Sequence, residues 1–118
     1  MGGGRITTHV LDVAHGKPAA GMRVRLWKLD EALPAQLVKA DRLNADGRLD
    51  EPLASAGVLT EGIYELVFEA GAYYKETWAE DLVFLDHIPV RFKVADESAH
   101  YHVPLLVAPG GYSTYRGT

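Results

Sequence analysis

Short runs in which apolar and polar residues alternate recur along the chain and constrain its fold more than any other feature. In residues 22–29, MRVRLWKL, Val24 and Leu26 alternate with Arg23 and Arg25. Strict alternation of this kind indicates a strand with one buried face. Glycine, proline, asparagine and aspartate separate the runs, so the pattern predicts an all-β sandwich of two packed layers.

The alternation also gives the order of the elements. Only the stretch 71–84 breaks it, with a mixture of helix-forming residues that predicts one short helix. Pro104 within a strand indicates an edge or a bulge, because proline has no N–H to donate. The predicted strands are 6–13, 22–29, 36–43, 63–70, 88–94, 100–107 and 112–118.

Length and composition narrow the class of protein. A chain of 118 residues predicts one domain, which we place at 6–118 behind a flexible segment at 1–5. The net charge of −4 and the lack of a basic block predict no nucleic-acid partner. No apolar run approaches the roughly 20 residues of a membrane helix. With no signal-peptide pattern, a cytoplasmic location is expected, or a periplasmic one only if a signal was trimmed.

Three histidines on two predicted strands are the first candidates for chemistry. His100 and His102 share one strand face, and His9 shares a face of the first predicted strand with Leu11. Neutral imidazoles at this spacing can hold zinc, and the chain has no cysteine to offer a thiolate ligand. Equally, histidine serves as an acid or base near neutral pH, or lies on a solvated face without any role. His15 and His87, in loop-like segments, are expected to be solvated.

Arg48 and the C-terminus are further candidates. Arg48 follows the turn NADG (44–47), whose residues tolerate a left-handed backbone, and its guanidinium suits an anionic or oxygen-rich ligand. Such an arginine can also be a plain surface charge. The chain ends in YSTYRGT (112–118), which is too aromatic for a disordered tail and predicts a packed terminus.

Four segments together resemble the 5-hydroxyisourate hydrolase family, the transthyretin-related proteins of purine catabolism. They are ITTHVLDVAHGKPAAGM (6–22), LNADGR (43–48), HYHVPLLVAP (100–109) and YSTYRGT (112–118). The terminal segment is the most specific, because its YRG-hydroxyl ending separates these hydrolases from transthyretin itself. The family usually ends in serine, and Thr118 keeps the hydroxyl.

The resemblance implies a transthyretin-like (prealbumin-like) sandwich of two four-stranded sheets with one short helix. It also implies a homotetramer, a dimer of dimers with the sites at the dimer–dimer interface. The implied activity is hydrolysis of 5-hydroxyisourate in urate degradation by a cyclic amide hydrolase, without metal or other cofactor. The implied catalytic residues are His9, Arg48, His102 and Thr118. The implied substrate-binding residues are His9, Arg48, Tyr115, Arg116 and Gly117.

Two other functions stay open at this point. A non-catalytic, transthyretin-like carrier of small aromatic ligands would share the fold without the histidines and the YRG ending. A zinc hydrolase would use His9, His100 and His102 as ligands. Between the two histidines of HYH, the resemblance favours His102 for the site, and His100 is expected to be a neighbour on the same face.

Overall fold

The computed structural model describes residues 3–118, and strands dominate this part of the chain. Its one helix within these residues lies where the alternation fails, as predicted. No helix among them is long and apolar enough to cross a membrane. The elements are β1 (Arg5–Asp12), β2 (Lys17–Pro18), β3 (Arg23–Asp30), β4 (Leu33–Arg42), β5 (Gly62–Glu69), α1 (Ala70–Trp78), β6 (His87–Val94), β7 (His100–Ala108) and β8 (Gly111–Thr114).

The strands form two four-stranded sheets, which confirms the predicted fold class. One sheet has the order β2-β1-β7-β8 and the other the order β4-β3-β5-β6. Most neighbours are antiparallel, but β1 and β7 run parallel although almost the whole chain separates them. The first and the last long strands of the chain therefore lie side by side at the centre of one sheet.

The inward faces of both sheets carry the core, as the alternation predicts. Ile6 and Val10 of β1 pack with Tyr101, Val103 and Leu105 of β7, and all five are buried. The second sheet contributes the same alternate positions from its own strands, namely Val24, Leu26, Tyr64, Leu66 and Phe68. Burying these two apolar faces against each other directs the remaining side chains of β1 and β7 outward.

Two strand boundaries differ from the prediction by three residues or more. β4 begins at Leu33 rather than at 36, because a tight turn after β3 already pairs Asp30 with Leu33. β8 ends at Thr114 rather than at 118, because the terminal residues leave the β8 ladder and bond to β7. Pro104 lies just before β8 pairing starts at Leu105, so it has a regular strand neighbour on one side only, where proline is tolerated.

The N-terminal boundary also lies earlier than expected. β1 begins at Arg5, within the segment 1–5 that the sequence predicts to be flexible, and Gly4 before it is buried. Met1 and Gly2, to which that expectation also applies, lie outside the described residues.

A buried carboxylate joins the helix to the end of β1. Asp12 is fully buried and accepts hydrogen bonds from the hydroxyls of Tyr73 and Tyr74, at 2.8 and 3.0 Å. His15 donates to the same carboxylate at 2.7 Å and stacks on Trp78, with 3.6 Å between the ring centroids. The prediction of a solvated His15 is therefore wrong, because helix α1 covers it, whereas His87 is exposed as expected.

Candidate active site

The outer face of the β1–β7 pair carries the polar groups of the site. The parallel register places Thr7 beside His102, and Arg5 beside His100. The hydroxyl oxygen Oγ1 of Thr7 lies 2.8 Å from Nδ1 of His102 and 2.7 Å from Nε2 of His100. One threonine hydroxyl thus connects both histidines of the HYH segment.

Arg48 reaches this face from the turn that precedes it. The Asn44 side-chain oxygen accepts the backbone N–H groups of Asp46 and Arg48, at 2.9 and 3.1 Å. Gly47 has φ of 74°, and a Cβ there would lie 2.5 Å from the carbonyl oxygen of Val10. The turn is therefore built for glycine, and it holds Arg48 in a bridge with His9 of β1.

The tail, which we define as residues 115–118, is held against β7. The N–H of Gly117 donates to the carbonyl of His102 at 2.7 Å. The guanidinium of Arg116 donates to the carbonyl of His100 at 3.1 Å and lies 4.2 Å from the centre of the Tyr101 ring. The terminus is thus anchored by its backbone and by Arg116, although most of its side chains are exposed.

Between these elements lies a cavity of about 350 Å³, which we call the cleft. Both basic and acidic groups line it, so a polar ligand with several oxygens or nitrogens would find partners on its walls. Its lining residues are Arg5, Thr7, Thr8, Arg48, Leu49, Asp50, Glu51, Pro52, His100, His102 and Thr118.

Five of the seven predicted site residues lie in or beside the cleft, and the other two lie at a different cavity. Arg48, His102 and Thr118 line it. His9 is on the adjoining part of β1, joined to Arg48 by the backbone bridge, and Gly117 packs against the His102 ring. Tyr115 and Arg116 instead border a separate cavity of about 270 Å³. One protomer therefore brings five of the seven together.

Three residues of the cleft were missed or given too little weight. The sequence does not single out Arg5 or Thr7 for the site, and it presents His100 only as a neighbour, yet all three line the cleft. The period-two pattern of β1 already puts Thr7 on the face of His9, which was a usable signal. The pairing of β1 with β7 was not visible, because no local pattern reports which distant strands become neighbours.

The histidines of the site are tuned toward their neutral forms. Burial lowers the pKa of His102 below its ordinary value of 6.5, and the nearby His100 and Arg48 lower it further. Burial and the charge of Arg48 also lower the pKa of His9, although Asp46 opposes this. At neutral pH both imidazoles can accordingly accept a proton.

The three histidines do not converge as metal ligands within one protomer. Among residues 3–118, no three histidine, aspartate or glutamate side chains are grouped so that they could hold a metal ion. The ring nitrogens Nε2 of His100 and Nδ1 of His102 are instead engaged with the hydroxyl of Thr7. The donor set of this protomer therefore does not fit the zinc interpretation.

The two sheets and the cleft together define a transthyretin-like sandwich with a histidine–arginine site on one outer face. The profile of the HIUase/Transthyretin family matches residues 6–117, and the chain belongs to this family. It is 50% identical over 117 residues to the 5-hydroxyisourate hydrolase of Halalkalibacterium halodurans, with 98% of each chain covered.

Solved structures agree with this assignment. A crystal structure of (S)-allantoin synthase superposes with a TM-score of 0.88 at 43% identity, covering 98% of this chain and 44% of that longer chain. The 5-hydroxyisourate hydrolase of Klebsiella pneumoniae superposes with a TM-score of 0.82 at 32% identity, covering 98% and 99% of the two chains. Sea bream transthyretin, at 20% identity and a TM-score of 0.85 over 94% and 92%, shares the fold.

Proposed function

We propose that this protein hydrolyses 5-hydroxyisourate to 2-oxo-4-hydroxy-4-carboxy-5-ureidoimidazoline, a step of urate degradation. The proposal is supported by full-length similarity to proteins named 5-hydroxyisourate hydrolase. The observation that carries it is the cleft, where neutral His102 faces the same space as the Arg48 guanidinium. A base and a fixed cation side by side are the groups that water attack on a ring carbonyl requires.

In the proposed reaction, water adds to the electrophilic ring carbonyl as a histidine takes its proton. The carbonyl oxygen gains negative charge, which the guanidinium of Arg48 offsets. When the tetrahedral centre collapses, the ring C–N bond breaks and the histidine returns the proton to the leaving nitrogen. His9 and His102 share this general-base work, and the Thr118 hydroxyl orients water or substrate. No step uses a metal ion.

Substrate contacts complete the assignment. His9 and Arg48 hold the substrate's oxygens beside the base, and Gly117 keeps the tail close to the His102 ring. Tyr115 and Arg116 contribute in a homotetramer, a dimer of dimers whose sites lie at the dimer–dimer interface. Among residues 3–118, β6 and β8 each end a sheet with one edge unpaired, which suits sheet-to-sheet association of copies.

The test is the decay of 5-hydroxyisourate generated in place by urate oxidase. The wild-type protein should accelerate the decay, and His102→Ala and Arg48→Ala should each slow the catalysed rate by at least ~10-fold with unchanged circular dichroism. Activity should persist in protein shown by elemental analysis to be free of metal and assayed with a chelator.

Two outcomes would contradict the proposal. Decay that is unchanged by the protein, together with tight retention of an aromatic ligand, would indicate a carrier. Activity that follows the zinc content of the preparation and disappears with chelator would indicate a metal-dependent hydrolase.

A further inference from the structure

The hydroxyl of Thr7 is shared by two imidazoles, and this limits where protons can reside. Its Oγ1 lies 2.7 Å from Nε2 of His100 and 2.8 Å from Nδ1 of His102. A threonine hydroxyl has one proton to donate. Consequently it can donate to one ring only, and the other ring must present an N–H to its oxygen. Among residues 3–118 these two nitrogens are the hydrogen-bond partners of the Thr7 hydroxyl.

Two arrangements of the neutral rings use the hydroxyl fully. In the first, Thr7 donates to Nε2 of His100 and accepts from Nδ1–H of His102. The Nε2 atom of His102 then carries a free lone pair. In the second, Thr7 donates to Nδ1 of His102, which places that ring's proton on Nε2. A ring in the second arrangement cannot take a proton at Nε2, so the two arrangements differ in whether Nε2 of His102 can act as a base.

We propose that Thr7 is a positioning residue that holds His102 in the Nδ1–H tautomer, with His100 as the acceptor of the Thr7 proton. This inference rests on the proposed function, because it assigns Nε2 of His102 as the atom that removes the proton from water. The chain of donors then runs from Nδ1–H of His102 through the Thr7 hydroxyl to Nε2 of His100.

Proton uptake by His102 favours this direction. When Nε2 of His102 takes a proton, the imidazolium needs an acceptor at Nδ1, and the Thr7 oxygen is already in place. No group has to turn during the reaction, which is the benefit of a preorganised site. In the opposite arrangement Nε2 of His102 already carries a proton. Proton uptake would then have to occur at Nδ1, and the Thr7 hydroxyl would have to rotate away from it.

The surroundings of His100 favour it as the acceptor. Arg5 lies beside it in the parallel register, and Arg116 donates to its backbone carbonyl. Burial lowers the pKa of His100, and these two guanidinium groups lower it further. A neutral His100 has one bare ring nitrogen, and with its proton on Nδ1 that nitrogen is Nε2, which accepts the Thr7 proton.

Nitrogen-15 NMR of the intact protein, labelled at its histidines, tests the tautomer directly. In the wild-type protein, His102 should carry its proton on Nδ1 with Nε2 bare. Thr7→Val, which is nearly isosteric, should lose this preference and lower kcat by at least ~10-fold with little change in KM. Thr7→Ser, which keeps the hydroxyl, should restore both the tautomer and kcat.

A second variant and a matched control make the result specific. His100→Phe removes the acceptor and frees the hydroxyl to donate to His102, so the proton should move to Nε2 of that ring. Thr114→Val removes a similar hydroxyl, which donates to the Pro104 carbonyl of β7 at 2.7 Å. It should leave the tautomer and kcat unchanged.

The inference is overturned if Nε2 of wild-type His102 carries the proton, or if Thr7→Val keeps both the tautomer and kcat. The spectrum reads the tautomer whether or not the protein acts on 5-hydroxyisourate. A correct tautomer in a protein without hydrolase activity would therefore overturn the proposed function and leave the hydrogen-bond assignment intact.

Discussion

At position 117, a single hydrogen atom in place of a side chain decides how closely the tail approaches the His102 ring. A Cβ there would lie 2.6 Å from Cδ2 of His102. Contacts that short require something to move, and the His102 ring is held from its other side by Thr7. Glycine at this position thus lets the tail and the ring share one wall of the cleft.

Gly117→Ala should therefore reduce activity far more than stability. Moving the tail or the ring by a few tenths of an ångström misplaces reacting groups, and we expect kcat to fall by at least ~10-fold. The free energy of unfolding should change by less than about 0.5 kcal/mol, since the site is at the chain end. Gly110→Ala, where a Cβ would meet nothing within 4 Å, is the matched control. Equal activity of the two variants would contradict this role.

The pH dependence of activity should report the lowered histidine pKa values. In the proposed reaction His9 and His102 act as bases only when neutral, and burial together with Arg48 keeps the pKa of each below 6.5. Hence kcat/KM should rise with pH through an inflection below 6.5 and then level off. Initial rates between about pH 5 and 8, corrected for spontaneous decay, measure this curve. An inflection above pH 6.5 would contradict the lowered pKa values of these two histidines.

At the scale of elements, the connection between β1 and α1 is polar. Burial raises the pKa of Asp12, but the hydrogen bonds from Tyr73, His15 and Tyr74 outweigh it and the net pKa is lowered. Burial and the bond to Asp12 in turn raise the pKa of Tyr73 to about 12. The Asp12 carboxylate is therefore charged and the two phenols are neutral at physiological pH. A charged acceptor thus faces hydroxyl groups that keep their protons to donate.

Asp12→Asn should destabilise the protein strongly. The amide replaces one acceptor oxygen by an NH2 donor that faces other donors, and we expect a loss of about 3 kcal/mol in the free energy of unfolding. Urea denaturation measures it. Asp81→Asn, at an exposed loop position, should change stability by less than about 0.5 kcal/mol. A similar small change for Asp12→Asn would mean that the carboxylate does not hold the helix in place.

For the whole molecule, exposed aromatic residues lie near the outer edge of β8, which has no partner strand among residues 3–118. Tyr112 is 47% exposed and Tyr115 is 59% exposed, next to the strand that carries His102. We expect light scattering to give four times the protomer mass of 12.9 kDa. Dilution that dissociates the assembly should reduce specific activity, because the proposed substrate contacts of Tyr115 and Arg116 depend on the tetramer. A fully active monomer would contradict a site at the interface.

The predictions from sequence agree best with the structure for features that neighbouring residues determine, such as strand faces and turns. The buried faces of β1, β3, β5 and β7 follow directly from the alternation, and the helix lies where the alternation stops. The NADG turn before Arg48 has the left-handed Gly47 that its residue types indicate. The fold class could be predicted, because it depends on side-chain period and turn chemistry. Of the residues that line the cleft, only Arg48, His102 and Thr118 were predicted, and the family resemblance rather than the periodicity indicated them.

The sequence by itself determined which side of each strand is apolar, where the turns lie and which family the chain resembles. Only the tertiary structure decided that His15 stacks on Trp78, and that Thr7 lies between His100 and His102. Those contacts join residues such as Thr7 and His102, 95 positions apart. The register of β1 against β7 sets them, and that register comes from packing two whole sheets, so no short segment contains it.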